Sequence, residues 1–279
     1  MTVPGHNPLR ALGAIEEILD AQKARDPLVV IVSVESPPEL IGQRIVIRKN
    51  SNSAPKCIGS FGDESLDNAA LGLGMRALDY ADPRVDGIHE LSDSNGKSIR
   101  VYVESHHPHP DLIIVGAGHI AQPLCSIGSL IGFHVIVIDD RPEFATQERF
   151  PEAHQVVRAD FSDPFDNILI HPRSHVVLVT RGHKYDYECL RRLLRMNIEL
   201  PYIGMIGSRR RVRATFEQLV QDGVSKDRIA KVQAPLGLDI GAETPAEIAI
   251  SVAAEIVLLW RGGAGSSLVE KERVLDRFF

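Results

Sequence analysis

Apolar and polar positions follow three rhythms along the chain. Over residues 7–25, Leu9, Leu12, Ile15 and Leu19 recur three and four apart. That spacing predicts a helix with those side chains on one face, stopped by Asp26-Pro27. Leu28-Val29-Val30-Ile31-Val32-Ser33-Val34 is a continuous, mostly β-branched run, which reads as a buried strand broken by Glu35-Ser36-Pro37-Pro38. Residues 43–48 predict a second strand, 49–56 a polar loop, and 57–62 a short strand and turn. Residues 63–80 predict a helix through Leu66, Ala70, Leu73, Ala77 and Leu78, and Ile99, Val101 and Val103 alternate in a further strand over 98–104. This half reads as α+β, with its strands too far apart for consecutive β-α-β units.

The rhythm changes after His106-His107-Pro108-His109-Pro110. Three close histidines raise the question of a metal. The prolines fix an extended path, however, and no carboxylate or cysteine is adjacent, so a stiff domain connection is the preferred reading. The expected division is 1–107 for a first domain, 108–265 for a second, and 266–279 for a charged tail. Apolar runs at 112–115, 134–138, 174–180 and 202–207, with a short candidate at 155–157, alternate with helical stretches at 120–131, 187–197 and from Ser208 to about Gly223. Thr244-Pro245-Ala246-Glu247 is a capping box with proline at the first helical position, opening a helix to about Trp260. The fold class expected is α/β: a C-terminal, Rossmann-like, doubly wound and mostly parallel sheet, with a smaller N-terminal α+β domain.

The second domain is organised around Leu112-Ile113-Ile114-Val115-Gly116-Ala117-Gly118-His119-Ile120-Ala121. The order is strand, tight turn, helix. Gly116 permits the turn, Gly118 lets a phosphate approach the backbone, and Ala121 lets helix and strand pack closely. The first-turn N–H groups, Ile120 among them, then face the anion. The next strand ends in Asp139-Asp140, about 20 residues beyond the glycines, where a ribose-binding acid is expected.

Composition narrows the partners. Hydrophobic content of 44% is ample for sizeable cores, and a net charge of −6 argues against general nucleic-acid or anionic-membrane binding. Cys57, Cys125 and Cys189 are odd in number and far apart, so neither a disulfide framework nor a paired-cysteine zinc motif is visible. No signal-peptide pattern opens the chain, and the longest apolar segment, 248–260, carries Glu255 and is too short to span a bilayer. The expectation is a cytoplasmic protein.

Ligands of such sheets sit at the carboxyl ends of the strands, here Gly116, Asp139, Thr180 and Gly207. Asp139 would accept from a ribose and repel a 2′-phosphate, whereas Arg141 could reach such a phosphate. His119 faces the phosphate position or packs locally. Arg181-Gly182-His183 brings cations to one strand end, with solvated loop charge as the alternative. Ser208 opens a helix whose first turn carries Arg209, Arg210 and Arg211, against the macrodipole. An anion, or salt bridges to Glu217 and nearby acids, would compensate. No nucleophile–base pair, paired catalytic acids or phosphate-loop lysine signature emerges, so no residue is assigned a catalytic role and none a metal.

Four motifs in one order resemble the xanthine dehydrogenase accessory family (XdhC/CoxI type): Gly116-Ala117-Gly118-His119-Ile120-Ala121, Asp139-Asp140-Arg141-Pro142, the stretch from Tyr202 to Arg210, and that from Gly237 to Pro245. The resemblance implies a maturation factor that carries molybdenum cofactor and helps load it into a molybdenum hydroxylase. It also implies work with that client and with a cysteine desulfurase, and it suggests a homodimer. The Rossmann half is expected to hold a nucleotide, with NAD and NADP as candidates. The family usually has Gly-Gly-Cys-x-Glu after a Gly-Ser pair in the first domain; here Gly59-Ser60-Phe61-Gly62-Asp63-Glu64 has no cysteine, and Cys57 lies upstream. An NAD(P)-dependent oxidoreductase and a nucleotide-sensing regulator are the competing readings.

Overall fold

The computed structural model describes residues 9–35, 37–49, 54–78, 85–94, 96, 98–161, 163–166, 168–196 and 198–272 of the 279-residue chain. These form two compact units, Met1–His109 and Pro110–Phe279. The predicted helix start at Asn7, the helix ends at Tyr80 and Asn197, and the end of the charged tail lie outside the described residues.

In the first unit, helix α1 (Ala11–Ala24) precedes strands β1 (Leu28–Glu35), β2 (Arg44–Arg48) and β3 (Lys56–Ile58). Helix α2 (Glu64–Ala77) and strands β4 (Gly87–Ser92) and β5 (Ser98–His106) follow. The sheet order is β3-β2-β1-β5-β4, with every pairing antiparallel. Alternate residues of β1 and β2 point to opposite faces. Val29, Ile31, Ile45 and Ile47 pack on α2 residues Leu66, Ala70 and Leu73, whereas Leu28, Val30 and Val46 pack on α1. Asp63 caps α2 by accepting from Leu66 N–H at 2.9 Å.

Helix α1 turns a different face inward from the one expected. Leu12, Ile15 and Leu19 are 67, 51 and 50% exposed, and the helix buries Ala14 and Ala21, with Ile18 partly buried beside them. Both stripes have helical spacing. The small-residue stripe lets the helix lie close over Leu28, Val30 and Val46, which larger side chains would hold off.

The second unit runs β6 (Asp111–Val115), α3 (Ala121–Leu130), β7 (His134–Asp139), β8 (Gln155–Arg158), β9 (Ser174–Leu178), α4 (His183–Arg195), β10 (Tyr202–Met205), α5 (Arg209–Gln221), α6 (Lys226–Ile229), α7 (Pro245–Arg261) and α8 (Leu268–Glu272). Its sheet order is β10-β9-β6-β7-β8 with all pairings parallel, the doubly wound topology in which the chain reverses direction across β6 and β9. Gln233 pairs with Gly204 beyond β10, in parallel, as the stub of a sixth strand. Central strands covered on both faces need apolar residues at every position, which is why β6, β7 and β9 are continuous apolar runs. Ile113, Val115, Ile136, Ile138, Val176 and Leu178 pack beneath α4 and α5. Leu112, Ile114, Val135, Val137 and Val177 pack beneath α3 and α7. The capping box on α7 is formed: Glu247 N–H donates to Thr244 Oγ1 at 3.3 Å, and Thr244 N–H donates to Glu247 Oε2 at 2.8 Å. Among the described residues, no helix is long and apolar enough to cross a membrane.

Candidate functional site

The glycine turn lies at the carboxyl end of β6, between the ends of β7 and β9. Gly116 N–H donates to Ile138 O at 2.7 Å, and Val179 N–H donates to Val115 O at 2.9 Å. Gly116 has φ +107°, and a Cβ there would sit 2.6 Å from Val179 O, so both the torsion and the space require glycine. Gly118 is the opposite case: a Cβ built on it meets nothing within 4 Å, and its outer side is open. Ile120 leads into α3, whose first turn has neither a side-chain cap nor an acidic residue. Exposed His119 stands beside it. Uncapped first-turn amides at an open glycine are the arrangement that receives an anion.

Asp139, which ends β7, is 1% exposed. Its Oδ1 accepts from Arg141 N–H at 3.0 Å and Arg141 Nε at 2.8 Å. Its Oδ2 accepts from Ala117 N–H at 2.7 Å and Arg141 Nη2 at 3.0 Å. A carboxylate has about four acceptor sites, and all four have donors within the chain. Burial acts to raise the Asp139 pKa, but the hydrogen bonds from Arg141 and Ala117 outweigh it and hold the group below the usual carboxylate range. The ribose role expected of Asp139 would require displacing one of these donors; in the structure the residue ties the glycine turn to the end of β7. Arg141 also lies 3.5 Å from the Phe144 ring centroid, and Arg149 lies 4.7 Å from it.

Asp140 is engaged as well. Arg181 donates to both of its oxygens, at 2.6 and 2.7 Å, and to Tyr185 Oη at 3.0 Å. This pair links the chain after β7 to the chain after β9. Behind it, the Thr180 hydroxyl donates to Asp186 Oδ1 at 2.5 Å. Arg211 donates to Asp186 Oδ2 and to Thr180 O. Asp186 is fully buried, and that burial pushes its carboxyl up to about 6, against the lowering pull of Thr180 and Arg211. Helix α4, expected from residue 187, starts earlier, so Asp186 lies in its first turn, with Gly182 at the N-cap and His183 as the first residue. The Thr180–Asp186–Arg211 set holds the starts of α4 and α5 together.

The cations at this sheet end thus divide into two groups. Arg141, Arg181, Arg211 and Arg213 are paired with Asp139, Asp140, Asp186 and Glu217. Arg209 and Arg210, in the first turn of α5 after Gly207 and the capping Ser208, are exposed and have no ion pair among the described residues; His183 and Lys184 are likewise exposed. Arg149, Phe144 and Asp186 were not among the site residues expected, and Arg211, read as part of an arginine run facing an anion or acids, is compensated by Asp186.

A family model described as the XdhC Rossmann domain matches residues 112–256. The chain is 30% identical over 221 residues to the uncharacterized protein YqeB of Escherichia coli (strain K12), a match covering 76% of this chain and 40% of that protein. It is 32% identical over 161 residues to a probable xanthine dehydrogenase subunit of Bacillus subtilis (strain 168), covering 58% of this chain and 46% of that protein. It therefore spans less than half the length of either curated relative. A crystal structure described as a xanthine dehydrogenase from Bacillus halodurans is similar with a TM-score of 0.63 and 26% identity, over 94% of this chain and 68% of that one. More than half of the chain fits the family model, and the fit falls on the doubly wound unit: the protein belongs to the XdhC family.

Proposed function

We propose that the chain is an accessory factor that binds molybdenum cofactor and assists its insertion into a xanthine dehydrogenase-type molybdenum hydroxylase. The open glycine turn before the uncapped start of α3 is the observation that carries this reading. Molybdenum cofactor is a phosphorylated pterin, and its phosphate fits a turn that offers backbone N–H groups and an open Gly118. The metal chemistry belongs to the cofactor in its client; this chain's part is to hold the phosphate. Family membership supports the choice of client, and the proposed partners are that hydroxylase and a cysteine desulfurase, with a homodimer as the proposed assembly.

The proposal assigns no step to a cysteine. In the stretch from Gly59 that corresponds to the family's cysteine motif, the Ser60 hydroxyl donates to Asp67 Oδ2 at 2.5 Å and Phe61 N–H donates to Oδ1 at 2.7 Å, making a structural turn before α2. Cys57 lies in β3, where burial and then the charge of Asp67 push its thiol up, away from the reactive thiolate. Purified chain mixed with molybdenum cofactor is expected to retain it through gel filtration and to activate cofactor-free hydroxylase. Failure of both retention and activation refutes the proposal.

A further inference from the structure

At the end of β7, Asp139 has no acceptor site left for a ribose diol, and Asp140 is ion-paired with Arg181. All four acceptor sites of Asp139 are filled by Ala117 and Arg141, and Arg181 holds both oxygens of Asp140. These two acids and two arginines are mutually neutralised. Arg149 is different: it pairs with no acid among the described residues, and its Nε is buried without a hydrogen-bond partner. Its guanidinium lies over the Phe144 ring, 4.7 Å from the centroid, and that of Arg141 lies over the same ring at 3.5 Å. Gln122, in the first turn of α3, donates to Arg149 O at 3.4 Å, so this arginine is tied next to the glycine turn. A guanidinium held on an aromatic ring loses little freedom when it takes up a phosphate.

A nucleotide whose diphosphate sits on the glycine turn extends its ribose toward the end of the second strand, here β7. We infer that this subsite takes a phosphomonoester on the ribose, so that the ligand class is a 2′-phosphorylated adenine nucleotide and not one with a free 2′,3′-diol. Arg149 supplies the uncompensated charge, and Phe144 holds it in place. The inference rests on the reading of the glycine turn as a phosphate site and goes beyond the pterin proposed there, adding a nucleotide as a second ligand of the same turn. It also turns Arg141 from a competitor of Asp139 into its partner, leaving the phosphate to Arg149.

The test is isothermal titration of the full chain with NADP, NAD, 2′,5′-ADP and 5′-ADP, repeated with Arg149→Gln and Arg149→Lys. A charge-assisted bond to a phosphomonoester predicts at least about tenfold tighter binding of each 2′-phosphorylated ligand over its counterpart. That ratio falls to near one in R149Q, is partly kept in R149K, and shrinks as salt is raised. Circular dichroism melts of the variants show whether the fold is intact. Equal affinities for NADP and NAD, or a preference that survives R149Q, overturn the inference and leave the glycine turn as a phosphate site. Binding of none of the four also overturns the inference, whereas the pterin reading of the turn stands or falls on retention of molybdenum cofactor.

Discussion

Asp186 and His175 are two buried titratable groups of the second unit whose pH effects oppose each other, and separating them tests the packing around both. His175 is buried in β9, with its ring centroid 5.0 Å from that of Phe133 and 6.0 Å from that of Trp260. Burial lowers its pKa to about 4, against the weaker raising pull of a hydrogen bond to Arg173 O. The unfolded chain therefore holds the proton more tightly than the folded one, and His175 stabilises the fold progressively as pH rises from about 4 to 6.5. Asp186 is raised to about 6, so the folded chain holds its proton more tightly. Its stabilising contribution is full below the ordinary carboxylate pKa and is lost as pH rises through about 6. Each shift is a little over two units, so between pH 4 and 6.5 each changes stability by about 2–3 kcal/mol, in opposite directions. Taken together they nearly cancel. Asp186→Asn removes one arm, so the variant is expected to gain about 2–3 kcal/mol relative to wild type across that range; His175→Leu is expected to lose as much. Trp260 is the chain's sole tryptophan and lies 5.3 Å from Phe133, so its fluorescence during urea unfolding reports on this unit. Parallel pH profiles for wild type and either variant refute the burial argument for that residue.

Other expectations follow from the turn and the caps. Gly116→Ala forces a Cβ toward Val179 O at positive φ and is expected to cost about 1–3 kcal/mol or more in urea unfolding, whereas Gly118→Ala leaves stability within about 0.5 kcal/mol. Asp139→Ala strands the Ala117 N–H and the partly solvated Arg141, with an expected loss of about 2–3 kcal/mol by the same assay; a loss below about 0.5 kcal/mol contradicts its role in tying the turn to β7. Thr244→Ala removes half of the capping box and is expected to lower stability by about 1 kcal/mol, read through Trp260 on the same helix.

The doubly wound sheet was readable because its central strands are buried on both faces, which forces uninterrupted apolar runs such as Ile136 to Ile138 beside a glycine turn. Helix α7 was readable because its start depends on Thr244 and Glu247, which are three residues apart. The edge strand β4 was not: its inward positions are Gly87, His89 and Leu91 while Ile88 faces out, so no apolar alternation marks it. The inward face of α1 was ambiguous because two stripes share the helical period, and the choice between them depends on the sheet beneath. At the site, the residues at the strand ends were legible from their order, but their bonding was not. Asp139 meets Ala117 from 22 positions away, and Arg211 meets Asp186 from 25. Such pairings arise from the topology that brings strand ends together, and local patterning carries no trace of them.

Mass spectrometry of the small molecules released from the natively purified chain and from its Gly118→Val variant tests the central claim most directly. The side chain added at Gly118 enters open space, so the fold is kept while the approach of a phosphate to the turn is blocked. A phosphorylated pterin or nucleotide released from the natural chain and absent from the variant is the predicted result. The same phosphorylated ligand recovered equally from both proteins would contradict the assignment of the glycine turn as its binding site.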